Sequence, residues 1–541
     1  MVSTWPFLTT TVSILREIDS GETHPLSLPK GIAPVPVAWY PDGTHVIARW
    51  VEGPKAPSSL WQISVVGGAP RKLIDDAKSP SFSADGSQIA FVRGPTTDQE
   101  IWLMQADGQK PRRITGGGKR MFVTPVWSPE GRRIAYVTSN YEPTHWDLST
   151  RVEILDLATG RKETILSGVS LRPGLVWTPD DRLIYSVSEA PPNQNDSNIW
   201  FARLNRSGHI QGTPSRLTAT QGDVAAMNAT ADGNRIAYTK HALQPDVYMS
   251  ELKAAGTRLS TPKRLTLDER NDYPFAWTPD SKTVLFASDR DGPYHIFKQA
   301  IDQTVPELLV GGNEQAMAPR LTPDDSTVVY VIWPKLGETS TGGLMRVPLA
   351  GGPPQVVLRQ NGIGNMQCAR RPSTLCIYDV RSKDRMSLFR FDPATGKSEE
   401  IPQVRIEDEA AYAYNWSLSP DGKILATSKR ESWMMWDYSP QKGPSITFHS
   451  MEDGSKRTVT VPGWAGLNSI DWAADGRSLW APVYNATGTW ALLKIDLQGR
   501  TTTVLEDTKI TIGWAIPAPD GKHVALWMAG GSSNVWMLEK F

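Results

Sequence analysis

A short wording returns along this chain every 43 to 54 residues or so: an apolar segment ending in an aromatic or leucine, a tight turn built on Pro-Asp-Gly, then a β-branched run. It reads WYPDGTHVIARW from Trp39, FSADGSQIAFVR from Phe82, WSPEGRRIAYVTS from Trp127 and WTPDDRLIYSVS from Trp177. It continues as ATADGNRIAYTK from Ala229, WTPDSKTVLFAS from Trp277, LTPDDSTVVYV from Leu321, LSPDGKILATS from Leu418, WAADGRSLWAP from Trp472 and PAPDGKHVALW from Pro517. The gap between Leu321 and Leu418 is two periods long, and the degenerate CARRPSTLCIYDV fills it, which gives eleven repeats. A period of this length belongs to architectures in which one unit cannot bury its apolar face alone and must stack on its neighbours.

Each repeat resolves into four short strands. Proline presets φ in the turn, aspartate bonds nearby backbone N–H groups, and glycine takes φ > 0. The third strand carries an aromatic, as at Trp61, Trp102, Trp200, Tyr248, Phe297 and Trp536. The fourth reads PRKLI, PRRIT, PSRLT or PKRLT. Four strands per period, repeated many times, predict an all-β fold, a β-propeller of four-stranded blades. Eleven repeats exceed the roughly four to eight blades of one ring, so two fused propellers are expected. Counting repeats puts them at 35–310 and 311–541, after N-terminal strands in 1–34 that read as a half-blade. Those strands either complete the last blade or belong to a blade whose other half lies upstream.

These motifs, with SDRDG between second and third strands, resemble the TolB-like, WD-type propeller family across essentially the whole chain. The stretch RLTLDERNDYPFAWTPDSKTVLFASDRDGPYHIFKQ and the terminal SSNVWMLEKF look like the propeller portion of bacterial winged-helix regulators and Ser/Thr kinases. The resemblance implies a sensory, ligand-binding part of a signalling protein, extracytoplasmic if membrane-anchored.

Composition agrees with a turn-rich β protein: Gly 44, Pro 42 and Trp 21. Lys plus Arg and Asp plus Glu are 57 each, so no chain-wide charge favours nucleic acid or an anionic membrane. No run approaches the roughly 18 apolar residues of a membrane helix. The start MVSTWPFLTTTVSILREIDSG lacks a basic n-region and does not read as a signal peptide. Cys368 and Cys376 flank a turn-like CARRPSTLC, where they either face each other across a hairpin or remain two buried thiols; the thiol reading is the one adopted.

Signatures of chemistry are sparse. The chain has no Gly-x-Ser-x-Gly elbow and no His-Glu-x-x-His, and its eight histidines are scattered. TGKS at 395–398 resembles a phosphate loop, but Phe391 stands where its first glycine belongs. The acidic RIEDEAAYAYNW (405–416) reads as a solvated loop rather than a cation site. No cofactor or metal is expected.

Topology locates a site nonetheless. If Pro-Asp-Gly turns occupy one face of the propeller, the loops between second and third strands occupy the other, and the long insertions all fall there. Tyr141, His145 and Trp146 in one, and Trp433, Trp436 and Tyr438 in another, are candidate contacts, because aromatics bury much area at little entropic cost. The alternative is that they cap their own blades. Asp289 and Asp291 share this loop face, while Asp280 belongs to the repeated turn. The expected function is therefore a non-enzymatic module binding a protein, peptide or small molecule on the loop face. The alternatives are a propeller hydrolase or lyase acting at the channel mouth, and a TolB-like cell-envelope component.

Overall fold

The computed structural model describes residues 2–3, 14–16, 20–26, 35–51, 57–95, 98–140, 150–168, 171–190, 193, 195–253, 256–333, 341–382, 384–408, 413–429, 443–485 and 488–541. Among the described residues every element in the order of the chain is a β-strand, and most strands fall into four-stranded antiparallel sheets. The fold is a β-propeller of four-stranded blades. Among the described residues eleven first strands are present, including Ile363–Cys368, which with Cys376–Arg381 realises the degenerate repeat.

The chain forms two compact units: Met1–Ala242 with Ser532–Phe541, and Leu243–Gly531. These do not part at 310/311, where counting repeats divides the chain. Unit 1 holds blades 35–74, 78–116, 120–168 and 171–216, each with its strands in chain order. Unit 2 holds blades 272–310, 315–359, 363–407, 414–460 and 466–507. One remaining sheet in each unit is assembled from two distant stretches. Strand Arg235–Lys253 gives 235–242 to unit 1 and 243–253 to unit 2, and strand His523–Glu539 gives 523–531 to unit 2 and 532–539 to unit 1. In unit 1, Asp223–Ala229 and 235–242 thus take their third strand from the C-terminal NVWMLE, tied by Arg235–Glu539 at 3.0 Å. In unit 2, Ile510–Pro517 and 523–531 take theirs from 243–253, with Leu252 N–H on the Lys522 carbonyl at 2.7 Å. The N-terminal strands Val2–Ser3, Ile14–Arg16 and Thr23–Pro25 form a three-stranded sheet of their own.

The repeated turn has the geometry its residues dictate. Asp280 Oδ1 accepts from Thr278 Oγ1 at 2.6 Å and Lys282 N–H at 3.1 Å, and Asp85, Asp232, Asp324 and Asp421 repeat the pattern. These bonds lower the carboxylates from their usual values, Asp85 and Asp232 to about 2. Where glycine is replaced at the φ > 0 position, Asp181, Ser281 and Asp325 are forced to φ near +60°.

Tryptophans that close some of the first strands stitch blades together. Trp127 Nε1 donates to Ser81 O (3.2 Å), Trp277 Nε1 to Ile516 O (2.8 Å) and Trp472 Nε1 to Ser417 O (3.0 Å), in each case on the first strand of an adjacent blade. Within unit 2 the first strands Asp272–Trp277, Gln315–Leu321, Ile363–Cys368, Tyr414–Leu418, Asp471–Trp472 and Ile510–Pro517 adjoin in that order. The last returns to the first, so six blades close a ring around a channel. Apolar clusters such as that of Leu285, Ile296, Val328 and Tyr330 fill the space between blades. Cys368 and Cys376 lie directly opposite on neighbouring strands and are disulfide-bonded, which corrects the reading of two buried thiols.

Candidate functional site

Tyr141, His145, Trp146, Trp433, Trp436 and Tyr438 lie outside the described residues. Asp289 and Asp291 are described, and they differ. Asp289 is buried, and its carboxylate is committed to Asn271, accepting from the backbone N–H and from Nδ2 at 2.9 Å each. Asp291 is exposed, 3.8 Å from His295 Nδ1. Strand Thr283–Ser288 separates both from Asp280, so the three carboxylates are not one constellation.

The SDRDG wording also places Arg290. Its guanidinium lies over the Phe297 ring at 4.6 Å and reaches Asp272 at 3.0 Å and Asp268 at 2.9 Å. Asp272 is wholly buried and one of its oxygens has no hydrogen-bond partner. Burial, then the charge of Asp268, pushes this carboxyl up to about 7 against the pull of Arg290.

Beside this cluster, first strands Asp272–Trp277 and Ile510–Pro517 build an aromatic wall in unit 2. Tyr273 stacks on Trp514 (5.5 Å, 24°), and Trp514 stacks on Trp527 (5.3 Å, 14°). All three rings are half-buried. Trp514 Nε1 donates to Pro274 O at 2.6 Å, fixing one indole edge and leaving the ring faces for packing. Tyr273 is raised to about 12, mainly by burial. Register shifts between Pro274 and Ala276, and between Ile512 and Trp514, mark β-bulges that twist these strands where the aromatics sit.

Further along the channel, toward the turn face, Arg320 Nη1 lies 3.7 Å from Asp471 Oδ2. These residues belong to blades 315–359 and 466–507, which stand opposite each other in the six-blade ring, so the pair spans the channel. Arg320 follows another bulge, between Met317 and Arg320, and also donates to the Phe275 carbonyl. The first strands around the channel of unit 2 thus carry an aromatic cluster toward their loop-face ends and an ion pair toward their turn-face ends. A cavity of about 270 Å³ lies on the turn face, lined by Trp480, Lys494 and His523 among others. Its Asp520 is already bound by Lys522 N–H, His523 N–H and the His523 ring. Among the described residues no group of three or more His, Cys, Asp or Glu is placed to hold a metal.

Sequence reasoning missed Tyr273, Trp514, Trp527, Arg320 and Asp471. Each sits in a strand whose motif reads as scaffold, and only ring closure brings them together.

No protein-family model matches the chain. It is similar to dipeptidyl-peptidase 5 of Porphyromonas gingivalis, 23% identical over 211 residues, which take in 37% of this chain and 30% of the peptidase. It is also similar to the Tol-Pal system protein TolB of Anaeromyxobacter dehalogenans, 30% identical over 124 residues, 23% of this chain and 27% of TolB. The matches thus span about a third of each curated relative. Among solved structures, a putative TolB from Agrobacterium tumefaciens aligns over 65% of this chain and 90% of its own, at 15% identity and a TM-score of 0.22. The likeness to TolB-type propellers agrees with the motifs. The expectation of a non-enzymatic chain is overturned: a relative detected over more than a third of the sequence is a peptidase.

Proposed function

We propose that the chain is the polypeptide-recognising propeller part of a TolB-like or propeller-peptidase protein, with the unit-2 channel as its binding site. The observation that carries this is the half-buried wall of Tyr273, Trp514 and Trp527 toward one end of the channel, with the Arg320–Asp471 pair crossing it toward the other. Ring faces bind apolar side chains with little loss of entropy. Exposed Asp291, on the loop side of its own blade in the same unit, would extend the contact surface around the mouth. In the peptidase reading the channel holds substrate for hydrolysis; in the TolB reading it docks a protein partner in the cell envelope. A sensory role, as in the regulators the motifs resemble, would use the same channel. The Cys368–Cys376 disulfide favours an oxidising, extracytoplasmic compartment.

The test is to select dodecapeptides by phage display on the full chain and to measure their affinities by fluorescence anisotropy. Trp514→Ala should weaken them about 30-fold, the scale of an interface hot spot. Failure to enrich any peptide, or equal binding by Trp514→Ala, would refute the assignment.

A further inference from the structure

Not all arginine–carboxylate pairs in this protein are alike. Some inside the blades are tight, Arg120–Glu153 at 2.5 Å, Arg264–Asp246 at 2.7 Å, Arg290–Asp272 at 3.0 Å and Arg381–Asp379 at 2.5 Å, while others such as Arg133–Asp156 stand at 4.0 Å. Charge-assisted N–H···O bonds lie at about 2.7–2.9 Å. The pair that spans the unit-2 channel is also loose, at 3.7 Å. Arg320 Nε has no hydrogen-bond partner, so of its five N–H groups the carbonyl of Phe275 engages one and Asp471 is too distant to engage another closely. Both side chains keep access to water, 16% exposed for Arg320 and 19% for Asp471.

A second guanidinium feels the charge of the same carboxylate without forming an ion pair with it. Asp471 acts on Arg320 and on Arg370, an exposed residue of the disulfide-bounded turn between Cys368 and Cys376. The charges gathered here are Arg320, Arg370 and Arg371 against Asp471, Asp324 and Asp325. Asp324 is taken by its own turn, bound to Thr322 Oγ1 and Ser326. Asp325 faces Arg370 and Arg371. That leaves Asp471 as the carboxylate on Arg320, held at a distance. Burial lowers Arg320 and raises Asp471, so the site lacks enough charge compensation for its desolvation.

We propose that the turn-face end of the unit-2 channel is a subsite for a carboxylate of the bound segment, which Arg320 receives as a bidentate partner by displacing Asp471. The acid is either the segment's C-terminal carboxylate or an Asp or Glu side chain; a planar guanidinium fork fits both. The assignment rests on the channel being a polypeptide site.

The experiment uses three fluorescein-labelled hexapeptides of one apolar sequence on the full chain. One has a free C-terminus, one an amidated C-terminus and an internal glutamate, and one is amidated with glutamine in place of that glutamate. The wild type should bind at least one acid peptide about tenfold tighter than the glutamine peptide, and which one identifies the source of the carboxylate. Arg320→Met should erase the preference. Asp471→Asn, which removes the competing carboxylate with little change of shape, should tighten acid peptides about tenfold and leave the glutamine peptide within about twofold. A purely structural Arg320–Asp471 pair gives no such gain, and this arm stands even if Arg320→Met fails to fold. Equal binding of acid and neutral peptides, or no gain in Asp471→Asn, overturns the subsite. If binding then still depends on Trp514, the channel reading survives; if no peptide binds at all, both fall.

Discussion

Gly513→Ala is the smallest change that tests the aromatic wall. A Cβ at Gly513 would fall 1.5 Å from Cε3 of Trp527 and 2.1 Å from Cζ3, where ordinary contact begins at 3.4 Å. The indole must therefore retreat by about 2 Å or leave its rotamer. Nothing polar resists that movement, because Trp527 Nε1 is buried without a hydrogen-bond partner. What is lost is packing: the stack on Trp514 at 5.3 Å and the parallel approach to Tyr273 at 6.2 Å. Aromatic pairs are worth about 0.5–1.5 kcal/mol each beyond area, and overpacking a well-filled site costs about 1–3 kcal/mol. The expected loss is about 3 kcal/mol, which for a unit the size of Leu243–Gly531 lowers Tm by about 6 °C. Near-UV circular dichroism should lose the intensity of the coupled indoles, and peptide binding should fall with it. Gly530→Ala is the internal control: it lies on the paired strand that carries Trp527, has no atom within 4 Å of its built Cβ, and should shift Tm by less than about 1 °C. If Gly513→Ala matches this control in Tm and dichroism, the wall as described is wrong.

Buried His449 is held down to about 4 by desolvation and then by Lys456, its Nε2 sharing a 2.9 Å hydrogen bond with Thr427 Oγ1. Its folded pKa lies below the unfolded value near 6.5. Stability present above pH 6.5 is therefore lost as pH falls toward 4, by up to about 3 kcal/mol, and denaturant titrations of His449→Gln should show a flatter pH profile. At the turns, Asp181→Gly should raise stability by about 0.5–1 kcal/mol, since Asp181 sits at φ 60°. Gly86→Ala should lower it by more than about 1 kcal/mol, its Cβ meeting Pro41 Cγ at 2.8 Å. Opening the Cys368–Cys376 bridge in a double Cys→Ser variant should cost about 2.5 kcal/mol by loop entropy at a separation of 8 residues, read by urea unfolding; no change would argue against the bond.

What the repeat wording carries is local. It locates the turns, the first-strand tryptophans and the demotion of Asp280 to scaffold, because each follows from bonds within a few residues or between successive blades. It does not carry the exchange of strands 243–253 and 532–539 between the last sheets of the two units. Both stretches read as third strands, and any third strand satisfies a second strand's hydrogen bonds. Repeat counting therefore placed the division at 310/311, while the units part within Arg235–Lys253. The wall is equally hidden: Trp514 and Pro274 touch across 240 residues of sequence, and only ring closure joins them. Asp289 illustrates the converse, a residue on the expected loop face whose carboxylate is spent on Asn271.

The channel surface has a further constraint that explains why no motif announced it. First strands must approach closely around a six-blade ring, and three of them carry a glycine backed by a second-strand side chain. A Cβ at Gly364 would meet Arg381 Nε at 2.4 Å, at Gly466 the Tyr484 hydroxyl at 2.2 Å, and at Gly513 the Trp527 ring. The inner layer is thus thin at these points, and side chains of the second strand supply bulk there. Turn residues and closing tryptophans are repeated because every blade needs them for its own geometry and for contact with its neighbour. Positions such as Arg320 and Asp471 answer to the opposite blade instead, so the repeat exerts no pull on them and they are free to differ. In a closed ring, residues that break the repeat on first strands are consequently better candidates for function than residues that recur, and Arg320, Asp471 and Trp514 meet that criterion where Asp280 does not.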